Sequence, residues 1–199
     1  MLKIGITGGI GSGKTLACKV FEQLGIPVYN ADMEAKKLMQ INKELIRKIK
    51  LVFGKNIYDK KNNLDRQKLA KIVFSNKNKL QQLNAIVHPA VEKDFIKWTS
   101  KHKESAYLIK EAALLFESGT YEQLDKIITI VASENLKIER IMKRDAVDKK
   151  SVLDRMKNQM SDKEKIKRAD FTVLNDEKKM LLPQILKLHS KFVILCKKY

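Results

Sequence analysis

Five of the eight glycines in this 199-residue sequence lie within its first 13 positions. The string from Gly8 to Thr15 reads GGIGSGKT and fits the pattern G-x-x-x-x-G-K-[ST]. It follows a β-branched run at residues 3–7 and precedes helix-spaced apolar residues between Lys14 and Leu24. Glycine permits tight turns and close approach of the backbone to a ligand, and N–H groups at a helix N-terminus attract phosphate. The string therefore predicts a strand, a phosphate-binding loop and a helix in an α/β fold.

Seven of the eight positions of this phosphate loop (residues 8–15), all but Ile10, have an expected role in holding ATP. Lys14 is expected to reach the β- and γ-phosphates as a catalytic residue, and the Thr15 hydroxyl is expected to bind Mg²⁺. The other expected ATP-binding residues of the loop and of the helix start are Gly8, Gly9, Gly11, Ser12, Gly13 and Leu16. The alternative is a glycine-rich turn that binds nothing, which the flanking strand and helix disfavour.

The rest of the chain has the alternating pattern of a doubly wound α/β protein. Residues 27–30 form a second short strand, which completes a right-handed parallel β-α-β unit. Strand-like runs return at residues 106–109, 126–131 and 171–174, and residues 181–195 have the periodicity of a closing helix.

Two stretches between the strands are predicted to be helical. From residue 33 to about residue 103, apolar residues recur with helical spacing, as in a substrate-binding cap. Pro89 is expected to break a helix at His88, because the residue before proline disfavours helical geometry. Ser133 is expected to cap the next helix, and the charged stretch 143–168 suits a mobile helical lid.

Composition narrows the possible partners. The formal charge of +18 fits an anionic partner, but only six of the 41 basic residues are arginines and no basic stripe alternates with aromatic residues. Nucleic-acid binding is therefore not expected. Cys18 and Cys196 lie at opposite ends of the chain, which argues against a disulfide framework or a metal site. The sequence shows neither a signal peptide nor a membrane-spanning stretch, so we expect one compact cytoplasmic unit with a small satellite domain or lid.

Asp32 follows the second predicted strand and is the first candidate on the side of the phosphate acceptor. Ligands of open α/β sheets lie beyond the carboxyl ends of the strands, where a carboxylate can accept a hydroxyl proton and orient the attacking oxygen. Asp32 is equally suited to hold Mg²⁺ through water, or to cap the helix that starts at Met33.

Three further charged residues are candidates. Glu111 ends the third predicted strand and is a candidate ligand of the metal, and its alternative is a solvent-facing strand end. Arg140 and Arg144 are four residues apart and share one helix face, from which a closing lid could neutralise charge on the transferring phosphoryl group. The alternative for them is ordinary i,i+4 pairing with acids such as Glu139 or Asp145.

Several strings outside the phosphate loop carry a resemblance. They are Ala31-Asp32, Leu64-Asp65-Arg66, Leu69-Ala70, Val73-Phe74-Ser75, His88-Pro89, Leu114-Leu115-Phe116-Glu117, Arg140, Arg144-Asp145, Gln159, Lys165, Ala169-Asp170 and Asn175. In this order and spacing, they make the chain resemble the dephospho-coenzyme A kinases over nearly its full length.

The resemblance implies a P-loop kinase fold with a five-stranded parallel sheet, related to the nucleoside monophosphate kinases. The nucleotide-binding core is expected at residues 1–32, 104–135 and 170–199, a helical acceptor-binding domain at 33–103 and a lid at 136–169. The implied reaction is the last step of coenzyme A biosynthesis, in which ATP, with Mg²⁺, phosphorylates the ribose 3′-hydroxyl of dephospho-coenzyme A. The expected partners are these two small molecules, with no nucleic acid and no membrane, and the expected state is a monomer or weak homo-oligomer.

The resemblance also implies roles on the acceptor side. The aspartate that corresponds to Asp32 is the family's candidate base. Arg66 and His88 become candidates for holding the phosphates or the ribose of the acceptor. Their alternatives are a first-turn surface position for Arg66 and a helix end fixed by Pro89 for His88.

On the ATP side, the resemblance implies a catalytic role for Arg140 and ATP binding by Arg144. Asn175 becomes a candidate neighbour of the adenine ring, and its alternative is simple turn chemistry with Asp176.

The chain departs from the family pattern at one point. The family usually has an Asp, an apolar residue and Pro before Leu-Leu, whereas this chain has Glu111-Ala112-Ala113. Loss of the proline is expected to loosen the loop, and the longer acid is expected to shift the metal contact.

Two other functions stay open at this point. One is another small-molecule or nucleoside monophosphate P-loop kinase. The other is an ATP-binding regulator or nucleic-acid-associated NTPase, which only the charge favours.

Overall fold

The computed structural model describes residues 1–196, and at residues 74 and 77 it describes the backbone alone. The strands are β1 (Leu2–Thr7), β2 (Val28–Asn30), β3 (Tyr107–Glu111), β4 (Lys126–Val131) and β5 (Phe171–Leu174). They form one sheet in the order β2-β3-β1-β4-β5, and every neighbouring pair is parallel. The predicted five-stranded parallel sheet is thus confirmed.

The helices of the described residues are α1 (Lys14–Gln23), α2 (Ala31–Ile41), α3 (Lys43–Phe53), α4 (Arg66–Phe74), α5 (Lys77–Ser100), α6 (Glu134–Asp145), α7 (Lys149–Lys157), α8 (Asp162–Arg168) and α9 (Leu181–Cys196). Short 3₁₀ helices lie at Lys55–Ile57 and Thr120–Gln123. Within residues 1–196, no helix has the length and apolar character needed to cross a bilayer.

Two compact units divide the chain. The sheet unit comprises residues 1–30 and the chain from residue 101 onward, and the helical unit comprises residues 31–100. In the sheet unit, β1, β3, β4 and β5 bury one face against α1 and α9. The core residues there include Ile4, Ile6, Phe21, Tyr107, Ile109, Ile128, Ile130, Val173, Ile185 and Phe192. Parallel strands covered by helices need such continuous apolar sequence.

The helical unit is held by amphipathic packing. In α3, Leu45, Ile46 and Ile49 are buried along one face, as the apolar periodicity predicts. Asn42 caps this helix by accepting a hydrogen bond from the Leu45 N–H at 3.0 Å. Tyr58 is buried beside it, and this burial raises its pKa to about 12.

The predicted helix break at Pro89 is wrong. Helix α5 runs without interruption from residue 77 to residue 100 and includes Pro89. Proline inside a helix removes one backbone hydrogen bond and costs about 3 kcal/mol. Val87, Val91 and Phe95 are all buried and recur every four residues along α5. Burying this face against the other helices of the unit outweighs the local cost of the proline.

The charged stretch 143–168 shares a small apolar core with the preceding part of α6. Ile138 and Ile141 of α6 bury together with Val152 of α7, and Met156 packs at the edge of this cluster. The predicted cap of α6 is confirmed, because the Ser133 hydroxyl accepts from the Leu136 N–H at 3.4 Å. Whether this stretch acts as a lid stays a prediction.

Candidate nucleotide-binding and phosphoryl-transfer site

The phosphate loop lies where β1 ends and α1 begins, and its glycines are required by its shape. Gly8, Gly11 and Gly13 all have positive φ, at 151°, 79° and 92°. A Cβ on Gly8 would collide with the Ile130 carbonyl oxygen, and a Cβ on Gly11 would lie 2.6 Å from the Lys137 carbonyl oxygen. The loop is therefore packed so closely against its neighbours that side chains are excluded at these positions.

Lys14, the first residue of α1, bends back over the loop. Its ammonium donates to the carbonyl oxygens of Gly8 and Gly9 at 3.0 and 3.3 Å, and the side chain is 9% exposed. A cation is thus fixed at the helix N-terminus, where the backbone already favours an anion. Ser12 is fully buried, and its hydroxyl has no hydrogen-bond partner among the described residues. A buried hydroxyl of this kind is suited to a phosphate oxygen.

Oxygen donors that suit Mg²⁺ lie at the start of α1 and at the end of β3. Thr15 is exposed at the second position of α1, and Glu111 is the last residue of β3. Mg²⁺ usually takes few protein oxygens and fills its shell with waters and substrate phosphates. In the described part of the chain, no group of three or more His, Cys, Asp or Glu side chains is arranged around a common metal position. The donors fit an ion that the phosphates of ATP help to hold.

Glu111 is buried, with 5% of its surface exposed, and it accepts a hydrogen bond from the Asn30 side-chain amide. Asn30 and Glu111 are register partners at the carboxyl ends of β2 and β3. Burial raises the pKa of the neighbouring Cys18 thiol, and the negative charge of Glu111 raises it further. The alternative of a solvent-facing strand end is therefore wrong for Glu111.

The loop after β3 is anchored where the family's proline is missing. The Ala113 carbonyl oxygen accepts from the Thr7 hydroxyl at 3.4 Å and from the Lys165 ammonium at 3.0 Å. Lys165 is fully buried and also pairs with Glu117 at 3.1 Å. These bonds anchor the loop at Ala113, and the loosening expected from the loss of the proline stays a prediction.

Arg140 lies against the phosphate loop. Its guanidinium donates to the carbonyl oxygens of Gly11 at 3.4 Å and Asn175 at 3.1 Å, and it pairs with Glu177 at 2.9 Å. Pairing with Glu139 or Asp145 is thus not what the structure shows for Arg140. Its contacts tie α6 to the outer side of the loop and to the end of β5.

Asn175 follows β5 and touches the same loop. Its side-chain amide donates to the Ser12 carbonyl oxygen at 2.8 Å, and a Cβ on Gly13 would collide with it. The local turn is made by Asp176, whose carboxylate accepts from the N–H groups of Lys178 and Lys179. Asn175 therefore does more than form a turn.

Arg144 pairs with one of the acids that the alternative named, but with its neighbour in sequence and not at i,i+4 spacing. Its guanidinium donates twice to the Asp145 carboxylate, at 2.7 and 3.1 Å, and Arg155 pairs with the same carboxylate at 2.7 Å. The hydrogen bond from Arg144 is the largest cause that lowers the pKa of Asp145 to about 2. The ATP-binding role of Arg144 stays a prediction.

The three acceptor-side candidates all belong to the helical unit. Asp32 is the second residue of α2, which starts at Ala31, so the prediction that Asp32 caps a helix from Met33 is wrong. Arg66 is exposed at the first position of α4, behind its cap Asp65.

His88 is partly buried inside α5. The alternative of a helix end at His88 is wrong, because the helix continues to Ser100.

Four residues of the sheet unit were not given a role by the sequence. Lys137 and Asp162 form a largely buried ion pair at 2.6 Å, and a Cβ on Gly9 would lie within 3.3 Å of that pair. Gln159 accepts from the Ile10 N–H at 2.8 Å. Gln159 belongs to the strings that carry the resemblance, but only the fold shows which backbone group it meets.

The comparisons with known proteins agree with this geometry. The sequence profile of the dephospho-CoA kinase family matches residues 2–180. A dephospho-CoA kinase of Bacteroides fragilis (strain YCH46) is 38% identical over 200 residues, covering 98% of this chain and 97% of that protein.

Two solved structures share the fold at high coverage. TT1252 from Thermus thermophilus has a TM-score of 0.85 at 33% identity, with 96% of each chain covered. Dephospho-CoA kinase from Campylobacter jejuni has a TM-score of 0.70 at 28% identity, again with 96% of each chain covered. Together with the phosphate loop at the carboxyl end of the central strand β1, these matches show that the chain belongs to the dephospho-CoA kinase family.

Proposed function

We propose that this protein phosphorylates the ribose 3′-hydroxyl of dephospho-coenzyme A with ATP, giving coenzyme A and ADP. The observation that carries the proposal is the family match over residues 2–180 in a chain whose phosphate loop has Lys14 fixed over its backbone. Another small-molecule P-loop kinase is the runner-up. No observation in this structure favours it.

The phosphate loop supplies the donor side of the reaction. Backbone N–H groups at the start of α1, the Lys14 ammonium and the Ser12 hydroxyl together form a cradle of donors for the β- and γ-phosphates. Bound phosphate oxygens would replace the Gly8 and Gly9 carbonyls as partners of Lys14. Such fixed donors stabilise the charge that develops as the bond between the γ-phosphorus and the ADP oxygen breaks.

Thr15 and Glu111 would hold Mg²⁺ on this side. When bound, the ion would neutralise negative charge on the phosphates of ATP. Burial of Glu111 at the end of β3 supports the assignment, because the Asn30 amide orients its carboxylate.

Asp32 is proposed as the base on the acceptor side. It would accept the proton of the 3′-hydroxyl as the ribose oxygen forms its bond to the γ-phosphorus, and ADP would leave with the bonding electrons. Its place two residues after β2 supports this role, and so does its position inside α2, which removes the capping alternative. Arg66 and His88 would hold the phosphates or the ribose of dephospho-coenzyme A.

Arg140, Arg144 and Asn175 would complete the ATP site. Arg140 and Asn175 both contact the backbone of the phosphate loop, which supports positions beside the bound nucleotide. Arg144 gives two of its five N–H donors to Asp145, so other donors of the same guanidinium could pair with a phosphate.

The test is a panel of acceptors at saturating ATP and Mg²⁺. ADP release is measured with dephospho-coenzyme A, with nucleoside monophosphates and without acceptor. We expect kcat/KM for dephospho-coenzyme A to exceed that for any nucleoside monophosphate by at least about 10³-fold, as hydrogen-bonded recognition allows. Turnover of a nucleoside monophosphate without turnover of dephospho-coenzyme A would replace this proposal by its runner-up.

Removal of Mg²⁺ with a chelator should abolish the activity. A cytoplasmic location and a monomeric or weakly oligomeric state stay predictions.

A further inference from the structure

The turn between α7 and α8 is attached to the apex of the phosphate loop. The side-chain carbonyl oxygen of Gln159 accepts from the Ile10 N–H at 2.8 Å. Ile10 occupies one of the variable positions of the loop motif, so the motif alone assigns it no role. Because Gln159 bonds to the backbone N–H of Ile10, the bond constrains the backbone of the loop and does not depend on the Ile10 side chain.

Ile10 is also held by its side chain. It packs at the edge of the cluster that Ile138, Ile141 and Val152 form between α6 and α7. A Cβ on Gly9 or on Gly11, on either side of Ile10, would lie within 3.3 Å of Lys137. The apex of the loop, residues 9–11, is thus enclosed by α6, α7 and the turn that follows them.

The turn that carries Gln159 is itself fixed to the core. The Met160 N–H donates to the Glu117 carboxylate at 2.7 Å, and the buried Lys165 ammonium pairs with the same carboxylate at 3.1 Å. The Gln159 N–H donates to the Met156 carbonyl oxygen at 3.0 Å. Backbone bonds on both sides of Gln159 therefore limit where its side chain can go.

We propose that Gln159 is a positioning residue for phosphoryl transfer, which sets the place of the loop apex through the Ile10 N–H. This inference rests on the proposed function for its kinetic consequence. Transfer needs the phosphate and its donors aligned to a fraction of an ångström, and a misplacement of about 1 Å can cost about 10²-fold in rate. Gln159 touches no reacting atom and acts only through the backbone of the loop.

Three substitutions separate the hydrogen bond from packing. Q159M keeps the length of the side chain and removes the acceptor. Q159N keeps the amide but withdraws it by one methylene, and Q159E keeps both the length and an acceptor oxygen. N158A is the matched control, because among the described residues the neighbouring Asn158 side chain bonds only to the Asp154 carbonyl oxygen of the preceding helix.

We expect Q159M and Q159N to lower kcat by about 10-fold, with KM for dephospho-coenzyme A unchanged. Q159E should keep kcat several-fold above Q159N, and N158A should match the wild type. Values of kcat within twofold of the wild type in Q159M and Q159N would overturn the inference. So would a Q159E that turns over no faster than Q159N.

A second measurement does not depend on the acceptor. Hydrogen exchange at the Ile10 amide of the nucleotide-free protein should be at least about 10-fold faster in Q159N than in the wild type or N158A, because the amide loses its partner. Unchanged exchange would overturn the inference even if the wild type proved inactive on dephospho-coenzyme A. Inactivity of the wild type would count against the proposed function alone.

Discussion

In the sheet unit Lys14, Glu111 and Arg140 are buried or held by close contacts, whereas in the helical unit Asp32 and Arg66 lie exposed in the first turns of their helices. Lys14 is fixed by two carbonyl oxygens, and Glu111 is oriented by Asn30. The comparison teaches that the donor side is organised before ATP arrives. On the proposed acceptor side, an exposed side chain such as that of Arg66 would lose conformational entropy when it binds a substrate.

This difference predicts that a substitution in the phosphate loop lowers both ATP binding and turnover. A substitution in the helical unit should lower either turnover or acceptor binding. The Lys14→Ala variant should show the largest effect, because it removes a fixed cation from the developing charge. We expect kcat/KM for ATP to fall by about 10³-fold, with ATP affinity also weakened. Steady-state kinetics and nucleotide titration measure both.

Lys19→Ala is the control for this variant, since Lys19 is exposed on the same helix. Turnover of Lys14→Ala within tenfold of the wild type would show that the buried ammonium has no part in the chemistry.

Asp32→Asn should show the second largest effect and should leave the donor side intact. We expect kcat to fall by about 10²-fold and ATP affinity to stay unchanged, because the base is lost while the phosphate loop is not. Glu34→Gln is the matched control in the same helical turn, where Glu34 pairs with Lys37. Near-normal kcat in Asp32→Asn would remove Asp32 from the mechanism.

Arg66→Ala should affect acceptor binding alone. We expect KM for dephospho-coenzyme A to rise by about 10-fold, the effect of one lost hydrogen bond to a charged group. Because Arg66 is exposed at a helix start, the free energy of unfolding should change by less than about 0.5 kcal/mol. Lys71→Ala, on the same helix, serves as the control. An unchanged KM would show that Arg66 has no part in binding the acceptor.

The smallest expected effect is on the pH dependence of the free energy of unfolding, through the ion pair between Arg144 and Asp145. The pKa of Asp145 is lowered from 3.8 to about 2, chiefly by the hydrogen bond from Arg144. A carboxyl whose pKa is lower in the folded state stabilises the fold above its unfolded value and loses that contribution as the pH falls. The contribution should therefore disappear between about pH 4 and pH 2.

Asp145→Asn should flatten the pH dependence of the unfolding free energy in this interval, measured by urea denaturation. An unaltered slope would show that the ion pair is not populated in solution.

The strands and the phosphate loop were predictable because their determinants are local. The run from residue 3 to residue 7, the glycines and Lys14 follow one another directly in sequence, and the structure has β1, the loop and α1 in that order. The cap Ser133 was predictable for the same reason, since its hydrogen bond spans three residues.

The remaining features depend on contacts between distant residues. The helix break expected at Pro89 failed because burial of α5 outweighs a local preference. The hydrogen bond from Lys165 to the Ala113 carbonyl oxygen joins residues 52 positions apart, so no local pattern predicts this anchor. The bond between Gln159 and Ile10 spans 149 residues, so no local pattern predicts it.

The most direct test of the whole account is identification of the product by ³¹P NMR. The purified protein is incubated with ATP, Mg²⁺ and dephospho-coenzyme A. We predict that a phosphate monoester resonance of coenzyme A grows at the rate at which ADP is formed, in equal amounts. Formation of ADP and free phosphate without this resonance would contradict the account.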